Sequence, residues 1–153
     1  VNPSIEELKA EHARLAERIA ALESKQTKRI IFPAFRIDLS EGEKYAGWVV
    51  GKGSEAGYPL ILIPGETEDI NWEDAKKWAA KQGGKLPTRR EQSLLFANLK
   101  EEFQSAWYWS GEQYLDERYA WYQHFSSCGQ GTSFTDHYLR ARAVRRVYLE
   151  DGE

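Results

Sequence analysis

Between Ile5 and Leu22 the non-polar series Ile5, Leu8, Leu15, Ile19 and Leu22, with His12 standing among them, is spaced three, four, three, four and three residues apart. After Lys25-Gln26-Thr27-Lys28-Arg29 that period stops. The chain therefore needs two kinds of structure, a helix seam first and an alternating, strand-rich body after it. Ile5, His12 and Ile19 take the a positions of a heptad, and Leu8, Leu15 and Leu22 take the d positions. Ser4 with Glu7 three residues on forms a capping box. A stripe of about two residues in seven is narrow for a helix lying on its own domain, the alternative reading, and suits a seam between helices.

Ile at a with Leu at d favours two strands when nothing else intervenes. Residues 18–23, "RIAALE", however, resemble the short trimerisation motif of three-stranded coiled coils, with Arg18 and Glu23 bridging neighbouring helices around Ile19 and Leu22. The expectation is a parallel homotrimer through residues 1–27, with Ile5, Leu8, His12, Leu15, Arg18, Ile19, Leu22 and Glu23 as its interface. Three heptads alone are marginal, so the following domain, residues 28–153, must help assembly.

In that domain "RIIFPAFRIDL" (29–39) and "YAGWVVGKG" (45–53) predict strands, and "YPLILIPGE" predicts a short apolar strand closed by Pro64-Gly65. Asn71 caps a helix whose Trp72, Ala75, Trp78 and Ala79 form one face, and Gly83-Gly84 stops it. Thr88 with Glu91 is a second capping box, opening a helix with Leu94, Leu95 and Leu99 inward. "WYWSGEQY" (107–114) and "YAWYQHFSS" (119–127) predict strands. Alternation puts Trp121, Gln123 and Phe125 on one face, read as inside, and Tyr122, His124 and Ser126 on the other. "LRARAVRRVYL" (139–149) predicts one last strand, its arginines exposed or paired with carboxylates. Glu41, Glu43, Glu66, Glu68 and Asp69 read as solvated acidic turns. Two helices followed by short strands make an α+β domain.

Composition narrows the function classes. A net charge of −3 with scattered basic residues gives no electrostatic footprint for nucleic acid. No apolar run approaches a membrane span and no signal-peptide stretch opens the sequence, so synthesis in a bacterial cytoplasm without membrane insertion is expected. A single cysteine, Cys128, makes neither a disulfide nor a cysteine-rich metal site within the chain.

The segments "GGKLPTRREQSLLFANL", "WYWSGEQY", "YAWYQHFSS" and "RARAVRRV", in that order, resemble the C-terminal domain of the collagen-like adhesins, a C-type-lectin-like fold of bacterial and phage proteins. The likeness covers about residues 68–148 and is most specific at the "LPT" before the second helix and the closing "RAVRR". It implies ligand display rather than catalysis. The related formylglycine-generating enzymes use a pair of cysteines, and this chain has one. The calcium motifs of the lectins are missing, and no cluster supplies the roughly six to eight oxygen ligands calcium takes.

Other chemistry is weakly signalled. His124 and His137 lack a third metal ligand. Cys128 with His124 lacks an orienting residue and an oxyanion loop. "GKGSEAG" (51–57) lacks the Lys-Ser/Thr ending of a phosphate loop and reads as a hairpin turn. Neither metal nor cofactor is expected. What remains is a paratope-like set of aromatic and polar residues: Tyr108, Tyr114, Tyr119, Tyr122, His124, Phe134, His137 and Tyr138. The expected function is a non-enzymatic, phage- or prophage-encoded trimer that displays this face on the virion to a host protein or surface glycan. The second expectation is an intracellular phage accessory protein that inhibits a host protein.

Overall fold

A computed structural model describes residues 2–25, 30 and 34–149. The chain divides into two compact units, residues 1–35 and 36–153. In the first, α1 (Ile5–Ser24) begins as its capping box requires: the Glu7 amide donates to Ser4 Oγ at 3.2 Å, and Glu7 Oε2 accepts the Ser4 amide at 2.7 Å. No residue of α1 is buried. Its Ile5, Leu8, Leu15, Ile19 and Leu22 are between 49% and 72% exposed.

The second unit is α+β. Strands β1 (Lys44–Val49), β2 (Tyr58–Leu62) and β8 (Val144–Arg146) form a three-stranded antiparallel sheet in the order β1-β2-β8. A five-stranded sheet runs β3 (Thr67–Ile70), β7 (Leu139–Ala141), β4 (Trp107–Gln113), β5 (Tyr119–His124) and β6 (Gln130–Phe134). Its pairings are antiparallel except β4 with β7, which meet in parallel at Tyr108 and Arg140.

The continuous apolar run of β2 puts it in the middle of its sheet. Leu60, Ile61 and Leu62 are all buried, each contributing roughly 1.5–3 kcal/mol by leaving water. Helix α2 (Trp72–Lys81) starts at Asn71, whose side chain accepts the Asp74 amide at 3.0 Å. It packs Trp72, Ala75 and Ala79 against Ile63, Leu86, Trp109 and Ala120. The two buried indoles find acceptors, Trp72 on the Ser110 carbonyl at 2.8 Å and Trp109 on the Ile70 carbonyl at 2.9 Å. Gly83 leaves the helix at φ 84°, a conformation that penalises a side chain. At Gly84 a Cβ would lie 2.4 Å from the Val144 carbonyl oxygen, so glycine is what lets this turn touch β8.

Helix α3 (Arg89–Leu99) carries the second capping box, with the Glu91 amide on Thr88 Oγ1 at 3.2 Å. It buries Leu95 fully and Leu94 and Leu99 partly, in a second core with Leu60, Leu62, Tyr108 and Phe125. Both helices, the 50–57 hairpin turn between β1 and β2, and the strands of 107–113 and 119–124 lie where the sequence places them.

Four expectations are corrected. No strand forms at Ile30 or over 34–40, and residues 29 and 31–33 lie outside the described residues. β-branched and aromatic residues make a strand only where a ladder partner exists, and among the described residues β1 pairs with β2 alone. Residues 139–149 make two short strands rather than one, because the chain changes sheet at Arg142-Ala143. The acidic segment at 67–70 is strand β3, and Glu43 and Glu66 are not solvated turn residues. Glu43 is only 8% exposed in its side chain and receives Arg145 at two oxygens, 2.7 Å each. Glu66 takes Arg140 at 2.9 Å, and Glu68 takes the same guanidinium at 2.7 Å. Finally, Trp121 is half-buried and belongs to neither core, whereas Phe125 on the same face is buried.

Candidate functional site

Cross-strand register sorts the aromatic residues of the five-stranded sheet onto two faces. Trp107 opposes His124 and Trp109 opposes Tyr122, so these four share the α2 side. Trp107 stacks on Tyr122 with ring centres 5.0 Å apart and meets His124 edge-on at 5.9 Å. Ser126 holds the imidazole: its amide donates to His124 Nδ1 at 3.2 Å and its Oγ lies 2.6 Å from the same atom. Trp107 is 47% exposed and Tyr122 is half-buried.

On the opposite side Tyr119 opposes Phe134, ring centres 4.4 Å apart. Tyr114 meets both Tyr119, at 6.5 Å, and Trp121, at 5.5 Å. Phe134 contacts His137 at 5.3 Å, and His137 Nδ1 lies 2.9 Å from Ser133 Oγ. The turn before Tyr119 is fixed by Asp116, whose carboxylate is held down at about 2 by hydrogen bonds from Arg118. Tyr114, Tyr119, Trp121, Phe134 and His137 thus form one continuous, partly exposed ring cluster.

The expected ligand face therefore splits. Tyr114, Tyr119, Phe134 and His137 come together, Tyr122 and His124 lie across the sheet, and Tyr138 is separately 66% exposed. Tyr108 is not available to a ligand. It is 1% exposed and its hydroxyl donates to Glu66 Oε2 at 2.7 Å while accepting the Gln104 amide at 2.9 Å. Burial, reinforced by the Glu66 carboxylate, pushes its phenol up to about 12. The α1 residues Ile5, Leu8, His12, Leu15, Arg18, Ile19, Leu22 and Glu23 all remain exposed. Cys128 is exposed in the β5–β6 turn at φ 55°. Among the described residues no group of three or more His, Cys, Asp or Glu is placed to hold a metal ion, and no helix is long and apolar enough to cross a membrane.

Sequence reasoning missed Trp107, Trp121 and the first turn of α3. A cleft of about 470 Å³ opens between the 50–58 hairpin and that turn, lined by Lys52, Glu55, Arg89, Arg90, Glu112 and Gln130 among others. Arg89 lies 3.5 Å over the Trp121 ring, which joins the cleft to the aromatic cluster. One signal was legible: Arg89 and Arg90 put two cations at a helix N-terminus, where the macrodipole disfavours positive charge by about 0.3–1 kcal/mol each. No protein-family model matches the chain, and no curated protein matches it.

Proposed function

We propose that this chain is a non-enzymatic ligand-binding module: a C-type-lectin-like head of the collagen-like-adhesin type, carried as a homotrimer on a coiled coil of α1. In this reading a phage or prophage encodes it, and the virion displays its aromatic face to a host surface glycan or protein. One observation carries the proposal, the continuous ring cluster of Tyr114, Tyr119, Trp121, Phe134 and His137 on a firmly cored sheet. Monomeric proteins seldom leave such a patch open without a use for it. Tyr and Trp on strands supply contact area with little entropy left to lose, which is what recognition surfaces select. The trimer is supported by the heptad of α1, whose five aliphatic seam residues are each about half exposed or more.

The test uses the full chain on glycan arrays and in pull-downs, beside a Tyr119→Ser/Phe134→Ser double variant. A ligand retained by the parent and lost by the variant, at unchanged melting temperature, is the expected result. Equal retention by both removes the aromatic face from the reading. Light scattering addresses the assembly: about three times the 17.6 kDa chain mass is expected, and a monomer at micromolar concentration defeats it.

A further inference from the structure

We infer that the cleft between the 50–58 hairpin and the start of α3 is a binding site for a carboxylate-bearing sugar of the uronate class, with Arg89 and Arg90 receiving the carboxylate. This rests on the display reading above and names the chemistry of its ligand. The arginines of β7 and β8 are satisfied: Arg140 pairs with Glu66 and Glu68, Arg145 with Glu43, and Arg146 with Glu91. Arg89 and Arg90 have no carboxylate partner among the described residues, and neither does Lys52.

Arg89 is nevertheless held in place. Its guanidinium covers Trp121 at 3.5 Å and its Nε donates to Gln130 Oε1 at 3.0 Å. The Gln130 amide returns a bond to the Arg89 carbonyl at 2.8 Å and another to Gln123 Oε1 at 2.9 Å. Gln123 is fully buried and donates to the Gln92 carbonyl at 3.2 Å, and buried Gln92 donates to the Tyr108 carbonyl at 3.0 Å. The Arg89 amide is fixed on Glu112 at 2.5 Å. A relay of side-chain amides thus runs from the core to this one guanidinium, whose Nη groups have no hydrogen-bond partner among the described residues, and Arg89 lines the cleft. Pre-organisation of this kind reduces the entropy lost when a fork-shaped donor takes a planar carboxylate.

The rest of the lining selects among anions. Three cations face two carboxylates, Glu55 and Glu112. A doubly charged phosphate would be repelled by both acids. A singly charged sugar acid offers them hydroxyl donors, with Ser93 and Thr88 on the same wall. An acidic peptide supplies the carboxylate but only one backbone N–H donor per residue, where each sugar ring offers several hydroxyls to these acceptors. The volume, about 470 Å³, falls within the roughly 300–1,000 Å³ of small-ligand sites.

Isothermal titration of the full chain at low salt compares trigalacturonate with maltotriose, triglutamate and inorganic phosphate. Trigalacturonate should bind at least about tenfold more tightly than each of the others, as expected when a charge-assisted fork adds to hydroxyl contacts. Arg89→Lys should weaken it by about tenfold or more, because the bidentate fork is lost, with the charge retained. Arg90→Gln, at an exposed position whose one side-chain hydrogen bond among the described residues runs from Nη2 to the Val50 carbonyl at 2.7 Å, should weaken it several-fold at a melting temperature close to the parent's, and decides the matter should Arg89→Lys unfold. Equal binding of phosphate or triglutamate overturns the sugar assignment, and equal binding of maltotriose overturns the carboxylate. Trigalacturonate binding unaffected by either arginine variant places it elsewhere and overturns the site. No trigalacturonate binding, while the Tyr119→Ser/Phe134→Ser variant still loses a captured ligand, overturns this inference and leaves the display reading standing.

Discussion

The Glu91–Arg146 pair ties the start of α3 to β8, and neutralising Glu91 measures what that tie contributes. Glu91 is wholly buried and the Arg146 side chain is 17% exposed. Their two contacts are 2.9 Å and 2.7 Å, and Glu91 Oε1 also accepts the Thr88 amide at 2.9 Å. Glu91→Gln keeps a neutral acceptor for the cap but leaves Arg146 a largely buried cation without its carboxylate. Breaking a buried pair from one side costs about 3–5 kcal/mol, and the residual access of water to Arg146 puts this case near 3. For a unit of this size that corresponds to a fall in melting temperature of about 10 °C. Urea denaturation and calorimetry, each at low salt and at about 1 M, where the Debye length is about 3 Å, provide the assay. A dry pair keeps its deficit at high salt, whereas a solvated one loses it. Glu91→Leu with Arg146→Met should recover most of the stability, short of the roughly 1 kcal/mol held by the cap. A Glu91→Gln cost below about 1 kcal/mol, or one that salt abolishes, refutes the reasoning.

Phe125→Ala should cost about 3–5 kcal/mol by emptying the α3 core, whereas Trp121→Ala should cost about 1–2 because Trp121 lies half-covered under Arg89; reversed costs in urea titrations would show that the core on this face reaches Trp121 and not Phe125. Tyr108 has its folded value raised from 10.0 to about 12, so the stability it confers is complete below pH 10 and is lost as pH climbs from there through about 12. Melting of the parent should therefore decline over that window more steeply than melting of Tyr108→Phe, and parallel curves count against the assignment. Glu43 has its value lowered below 4.5, chiefly by its hydrogen bond from Arg145. Its contribution is present above pH 4.5 and lost as pH falls through the folded value. Glu43→Gln should thus cost about 1 kcal/mol at neutral pH, and the gap should close on acidification; a gap constant down to pH 3 argues against the pair.

Local signals in the sequence were legible because local chemistry decides them. Ser4, Asn71 and Thr88 cap their helices with the side chains that cap helices anywhere, and the apolar run of β2 can only be a covered strand. The pairing of Arg140, Arg145 and Arg146 with carboxylates was among the readings of their alternation, but which acids they meet depends on tertiary approach. Long-range packing hid the rest. Alternation says that Trp121 and Phe125 share a face, yet not that the core reaches only one of them. Tyr108 looks like a recognition residue until Glu66, 42 positions away, gives its hydroxyl a partner inside. The cleft was invisible for a related reason, since the lack of a carboxylate partner for the Arg89 guanidinium among the described residues is a property of space and leaves no pattern along the chain.

The two strands at 139–146 have a consequence for how this protein is born. Leu60 pairs with Arg146 and Leu62 with Val144, while β3 waits for β7 to join it to the larger sheet. On the ribosome, therefore, the helices and the three hairpins emerge with both sheets still missing a member. The edge of Leu60–Leu62 stays open to solvent until β7 and β8 appear, the kind of exposure that chaperones relieve and that stalled synthesis would prolong. Residues 139–146 supply the missing member of each sheet, so neither ladder can be complete before this one short stretch has left the ribosome.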